Sequence, residues 1–245
     1  MCSRADGGGS RLTRRPGRLL LAALTLAAAV AEVPAAGQSA PPAGLVEKYA
    51  RFLGAAEARR YLDDLPFAIG GSDAQVLTLR SRGQAYRVEL VALNDADDCE
   101  ACAGQLDAHV LRDGAPLFLE KGVFDSGNHG RVYVGDRTAV LPLARDTDGL
   151  VITGEMWAPR GCRFFNAHVF AIDAGARALK RIFERVEESC EEGPQVKALT
   201  LDSLGLDARG RGRFALTIVR QEGRREVKAA QRLYFDPAKW TLVKP

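Results

Sequence analysis

From residue 75 to the C-terminus, apolar and polar positions alternate in short runs separated by turn residues. Val76–Arg80 leads through Arg82-Gly83-Gln84 into Tyr86–Leu93, and His109-Val110-Leu111 meets Asp113-Gly114 before Leu117-Phe118-Leu119. Val132-Tyr133-Val134 turns at Gly135-Asp136 into Thr138–Leu143, and Asp146-Thr147-Asp148-Gly149 leads into Leu150–Trp157. Phe164–Ile172, Val196–Leu201, Arg213–Arg220 and Glu226–Phe235 continue the pattern. A period of two marks strands with one buried face, and the Gly and Asp clusters mark the turns between them. The spacing predicts a mainly β chain of about eleven strands in an antiparallel meander, folded as a sandwich or a partial propeller-like stack, with no clean internal repeat. Ala176–Cys190 is ambiguous. Leu179, Ile182, Phe183 and Val186 fit a helical face, but the turn signal Asp173-Ala174-Gly175 favours a strand.

Ahead of the β-rich region the period changes. Leu45, Tyr49, Phe52, Leu53 and Ala56 recur at helical spacing with charged residues between them, which predicts one amphipathic helix ending before Pro66. Residues 38–74 therefore read as an N-terminal helix and linker, and 75–245 as the β-rich domain.

The first 37 residues have a different texture. Arg4, Arg11, Arg14, Arg15 and Arg18 precede the apolar run Leu19–Val30, and Ala35-Ala36-Gly37 offers a small-residue cleavage site before Gln38. That order is the pattern of a cleavable secretory signal peptide. The apolar run is shorter than the roughly 20 residues a spanning helix needs. The Arg14-Arg15 pair hints at twin-arginine export, although Pro16 and Gly17 replace the large apolar residues that route prefers. The chain is expected to be exported, periplasmic or secreted, with no membrane span after cleavage.

Composition acquires meaning once this leader is set aside. The chain carries 34 basic and 31 acidic residues. Its leader holds five arginines against Asp6 and Glu32, so the remainder is balanced. A neutral domain lacks the electrostatic footprint of a phosphate binder, which argues against nucleic acid as a partner.

The leader also removes Cys2, leaving Cys99, Cys102, Cys162 and Cys190. An even count in an oxidising compartment predicts two disulfides. Residue 176 lies midway between Cys162 and Cys190, inside the turn signal, so a hairpin would set those two opposite each other. Cys99 and Cys102 would then close a small loop. A zinc site would want two close cysteine pairs, and only one exists. A redox-active Cys-x-x-Cys would want a following helix, yet Asp95, Asp97, Asp98 and Glu100 surround the pair and would raise its thiol pKa values. Ala103 stands where covalent haem attachment requires His. The sequence thus predicts no cofactor and no metal.

Other chemistry is sparse. Asp146-x-Asp148-Gly149 and Asp207–Gly212 resemble calcium loops but read better as hairpin turns. His109 and His168 fall within strand runs, where a hydrogen-bonded sheet histidine is the ordinary outcome. His129 sits in the polar segment Asp125-Ser126-Gly127-Asn128-His129-Gly130, and with Asp97 and Asp98 it forms the possible ligand loop. No Gly-x-Ser-x-Gly elbow or triad order supports a hydrolase on Ser126 or His129. Trp157 and Trp240 read as anchors at strand ends rather than sugar-stacking platforms.

Asp98-Cys99-Glu100-Ala101-Cys102, Ile172-Asp173-Ala174-Gly175 with Ile182-Phe183 and Cys190, and the closing Tyr234-Phe235-Asp236 with Trp240 carry a resemblance. Over residues 75–245 the chain resembles a loose group of uncharacterised secreted bacterial β-rich proteins with a D-C-x-A-C motif. The resemblance implies an exported β-rich domain and favours a strand at 178–187; it implies no activity. The reading these features support is a disulfide-stabilised binding or interaction module for an extracytoplasmic ligand or protein. The competing reading is an exported enzyme, either a thiol-disulfide oxidoreductase through Cys99 and Cys102 or a hydrolase using the Asp95–Glu100 or His129 loops.

Overall fold

The structure, a computed structural model, describes residues 40–96, 103–127, 132, 134, 135, 137–158, 161–190 and 195–245. Two helices open this region, α1 (Ala43–Leu53) and α2 (Ala55–Asp63), where the apolar spacing had suggested one. Gly54 makes the break. Its φ of 83° lies in the left-handed region that glycine enters without a side-chain clash, so the helical axis turns there. Leu45 and Tyr49 of α1 and Ala58 and Leu62 of α2 form the buried face of the pair.

Twelve antiparallel strands follow, grouped in three four-stranded meanders. The first sheet contains β1 (Ile69–Ser81), β2 (Gln84–Asp95), β3 (Gly104–Arg112) and β4 (Ala115–Gly127). The second contains β5 (Thr138–Ala144), β6 (Thr147–Ala158), β7 (Cys162–Asp173) and β8 (Ala178–Ser189). The third contains β9 (Gln195–Leu206), β10 (Gly212–Glu222), β11 (Arg225–Asp236) and β12 (Thr241–Val243). The mainly β meander expected from the alternation is therefore the fold, with the ambiguous segment at 178–189 a strand. Three details differ. β1 begins at Ile69, inside the stretch read as linker. Val132 and Val134 lie outside the strands, and the short β12 pairs with β11 where only turn chemistry was legible. Arg82-Gly83 and Asp113-Gly114 form the tight turns after β1 and β3, with positive φ at all four residues. That is the geometry whose twist suits a two-residue hairpin.

The elements stack as layers, helices on the first sheet, the first on the second, and the second on the third. Alternate residues of β2 and β3 (Val88, Leu90 and Ala92; Leu106, Ala108 and Val110) meet Leu150, Ile152, Phe170 and Ile172 of the second sheet. On the other side of β2, Val91 and Leu93 pack beneath α1 and α2. The opposite face of the second sheet, Val151, Phe165, Ala167, Val169 and Ala171, packs on Phe214, Leu216, Leu233 and Phe235 of the third. β2 and β7 are thus covered on both faces, and their sequences lose alternation and become nearly continuous apolar runs.

Polar contacts stitch the layers. Arg80 of β1 donates from Nε and Nη2 to the two carboxylate oxygens of Asp148 at 3.0 and 2.8 Å, and its backbone N–H also reaches that carboxylate. Asp148 is committed to this fork, and Asp207 accepts the backbone N–H groups of Arg209 and Arg211, so both calcium-like segments are built as turns. Arg220 of β10 pairs with Glu187 of β8 at 2.6 Å. Gly212 sits where a Cβ would lie 2.5 Å from the Pro142 carbonyl, so only glycine permits this approach of the third sheet to β5.

Cys162, at the start of β7, is disulfide-bonded to Cys190, just after β8, as the hairpin geometry required. The bridge ties the open end of the β7–β8 pair, opposite the turn after Asp173. Closing a 28-residue separation restricts the unfolded chain, for which about 2–4 kcal/mol is typical. Changing both Cys162→Ser and Cys190→Ser is expected to lower the urea-unfolding free energy by about that amount. Peptide mapping of the non-reduced protein should join Cys162 to Cys190; a Cys99–Cys162 link would contradict the hairpin.

Candidate functional site

Asp97, Asp98, Cys99, Cys102 and His129 lie outside the described residues, so the proposed ligand loop and the second disulfide are not part of the geometry below. Of their neighbours, Asp95 ends β2 with its backbone N–H on the Ala103 carbonyl, and Ser126 is buried with its hydroxyl donating to the Gly104 carbonyl at 3.0 Å. Trp240 packs edge-on against Phe235, with ring centroids 6.3 Å apart, which is an anchoring position.

Two polar centres emerge instead from strand residues. The first is Asp107 on β3, fully buried beneath the helices. Its carboxylate accepts hydrogen bonds from the Tyr49 and Tyr61 hydroxyls, both at 2.6 Å, from Gln105 Nε2 at 2.7 Å and from the Gly122 backbone N–H at 2.8 Å. The last donor exists because β4 bulges. β3 pairs Leu106 with Phe124 and Ala108 with Glu120, so Lys121, Gly122 and Val123 stand opposite Asp107 alone. Gly122 takes a φ of 61° in this bulge. Burial and the adjacent Asp107 carboxylate push both phenols well above the ordinary tyrosine range, so they remain donors. One residue pair along β3, His109 is fully buried between the Tyr49 ring, edge-on at 4.5 Å, and Phe52 at 4.8 Å. Neither of its ring nitrogens has a hydrogen-bond partner. Asp107 and its donors form a buried structural clamp.

The second centre is open. Beyond the bulge, the tip of the Phe124 ring of β4 meets Gly154 of β6, where a Cβ would come within 2.9 Å of the ring. Next to that contact, residues of the first and second sheets line a cleft of about 440 Å³. One wall is the β4 edge at Gly122–Asp125; the floor is the second sheet, with Met156, Phe164, Asn166 and His168. Glu184 and Val186 of β8 close the far side, paired in register with His168 and Asn166. These residues continue the face that holds Phe170 and Ile172, so the cleft is the end of the hydrophobic interface, turned polar.

Asn166 is 3% exposed and His168 7% exposed, yet Asn166 Nδ2 and His168 Nδ1 have no hydrogen-bond partner. His168 Nδ1 stays 3.7 Å from a Glu184 carboxylate oxygen that is 3.2 Å from Arg181. Its ring meets Phe124 edge-on at 5.6 Å. Burial lowers the His168 pKa, Arg181 adds to the effect and Glu184 opposes it, so the ring is held neutral. Leaving a buried donor unsatisfied costs about 1–3 kcal/mol. The expectation of hydrogen-bonded sheet histidines is thus overturned for His109, and for His168 at Nδ1. The signal was present as polar residues inside otherwise apolar strand runs, Leu106-Asp107-Ala108-His109 and Phe165-Asn166-Ala167-His168, but it does not reveal whether partners exist.

Compared with protein-family models, curated proteins and solved structures, the chain matches none.

The buried histidine makes stability acid-sensitive. Burial first, then the Lys48 and Arg51 charges, push the His109 pKa from the ordinary 6.5 to about 3. The unfolded chain therefore binds a proton that the folded chain refuses. The contribution is fully present above pH 6.5 and is lost as pH falls towards 3. His109→Leu is expected to reduce the fall in unfolding free energy between pH 7 and 4 by up to about 1.4 kcal/mol per pH unit. Urea titrations of both proteins at several pH values check this; an unchanged slope would show that His109 is not the group.

Proposed function

We propose that the chain is an exported, disulfide-stabilised binding module that takes an extracytoplasmic ligand in the cleft between the β4 edge and the second sheet. The observation that carries this reading is the pair of buried, unpartnered polar atoms, Asn166 Nδ2 and His168 Nδ1, lining an open cleft with apolar walls. A fold has no use for unpartnered polar atoms on a floor that apolar residues could complete, whereas a ligand-binding site combines such walls with a few placed polar groups. The leader pattern, the Cys162–Cys190 bridge and the balanced charge of residues 38–245 support export and argue against a phosphate-rich partner. No helix among the described residues is long and apolar enough to cross a membrane.

The test uses the full chain expressed with its own N-terminus and recovered oxidised from the periplasm of a bacterial host, where N-terminal sequencing should begin at Gln38. The neutral dye N-phenyl-1-naphthylamine is expected to bind with saturable fluorescence enhancement. Val186 is 45% exposed, so Val186→Trp can fill the cleft without disturbing the core. It should weaken the dye by about tenfold or more, the equivalent of about 1.4 kcal/mol. No enhancement in the parent protein, or equal enhancement in the variant, would remove the cleft as the binding site.

A further inference from the structure

On the footing that the cleft binds a ligand, we propose that it selects a neutral carboxamide group carried on an apolar chain, the amide lying across Asn166 and His168 and the chain lying along Phe164, Met156 and Val186. The charge pattern excludes the alternatives. Among the described lining residues the charged side chains are Asp125, Arg181 and Glu184. Arg181 and Glu184 already pair with each other at 3.2 Å, and Asp125 has a partner of its own. A carboxylate or an ammonium entering the cleft would lose its hydration without gaining an uncommitted counter-charge, a cost that a neutral group avoids.

The polar floor then specifies which neutral group. Asn166 Nδ2 only donates, so it requires an acceptor. In the proposed complex the proton of the neutral His168 sits on Nε2, which leaves Nδ1 an acceptor that requires a donor. The two residues alternate on one face of β7, about 7 Å apart along the strand, with side chains standing off the same surface. A carboxamide presents a carbonyl acceptor and an N–H donor side by side, and it satisfies both atoms at once. An ester or ketone offers no donor, and an alcohol offers both functions from one atom. The remaining wall is large and soft: Phe124, Phe164 and the Met156 thioether suit an aliphatic or aromatic substituent. The cleft volume is of the size that holds a small ligand.

The discriminating experiment titrates the full exported chain, isotopically labelled, with hexanamide, hexanoate and hexylammonium at pH 7. These probes share one tail and differ only in head group. Hexanamide is expected to shift the Asn166 side-chain amide and the backbone resonances of residues 122–125 and 164–168, binding about tenfold more tightly than either charged probe. Asn166→Leu keeps the volume and removes the donor, and it should abolish that preference. Equal binding of the three probes, tighter binding of a charged one, or a preference that survives Asn166→Leu would overturn the amide selectivity with the cleft still a binding site. Failure of all three probes while the dye binds and is weakened by Val186→Trp would also overturn it. Failure of the dye as well would bring down the binding reading itself.

Discussion

A carboxylate with no solvent exposure survives in a protein only when its oxygens are satisfied, and Asp107 organises much of this molecule around that requirement. Its four donors come from four places: α1, α2, β3 itself and the backbone of β4. Tyr49 and Tyr61 fasten the helices onto the first sheet, and the Gly122 N–H fastens the β4 bulge. Removing one partner of such a buried charged cluster typically costs about 3–5 kcal/mol, far more than an exposed ion pair contributes. The bulge in turn sets the direction of β4, placing Phe124 on Gly154. Phe124 also lines the cleft.

The second sheet supplies the rest of the site because both its faces are spoken for. Val151, Val169 and Ala171 meet the third sheet, while Leu150, Ile152, Phe170 and Ile172 meet the first. Along β7 the second of these faces continues from Ile172 and Phe170 to His168, Asn166 and Phe164. The transition from a closed apolar interface to a polar, unpaired floor occurs within one strand, without a loop. Rigid strands hold the two polar groups at fixed spacing, which is the preorganisation a binding site needs. The Cys162–Cys190 bridge locks the same end of the β7–β8 hairpin, so the floor under Phe164 is tied covalently as well as by the ladder.

Much of this architecture is legible in the chain. The alternating runs separated by Asp-Gly and Arg-Gly turns define most of the strands, and residue 176 at the midpoint of Cys162 and Cys190 locates the bridged hairpin. The layer count was not read from the sequence, although Val88–Leu93 and Phe164–Ile172 are near-continuous apolar runs of the kind that strands buried on both faces show. Other features depend on contacts that spacing cannot express. Gly54 breaks one helical pattern into two through a backbone angle. β12 is three residues long and exists only because β11 offers an edge. Asp107 and Asn166 look alike in sequence, each a polar residue between apolar neighbours, yet Asp107 finds four donors while the Asn166 amide nitrogen finds no acceptor. That difference rests on residues up to 58 positions away, such as Tyr49.

The central link is the one from the clamp to the cleft, and amide hydrogen exchange measures it most directly. The double change Tyr49→Phe and Tyr61→Phe removes two donors from Asp107 while leaving the helices' apolar face nearly intact. Coupling through the bulge predicts faster exchange not only in residues 43–63 but also at Gly122 and along 123–125, with β9–β11 unaffected. Loosened helices with unchanged protection at 122–125 would contradict it, and would show that the cleft wall stands without the clamp.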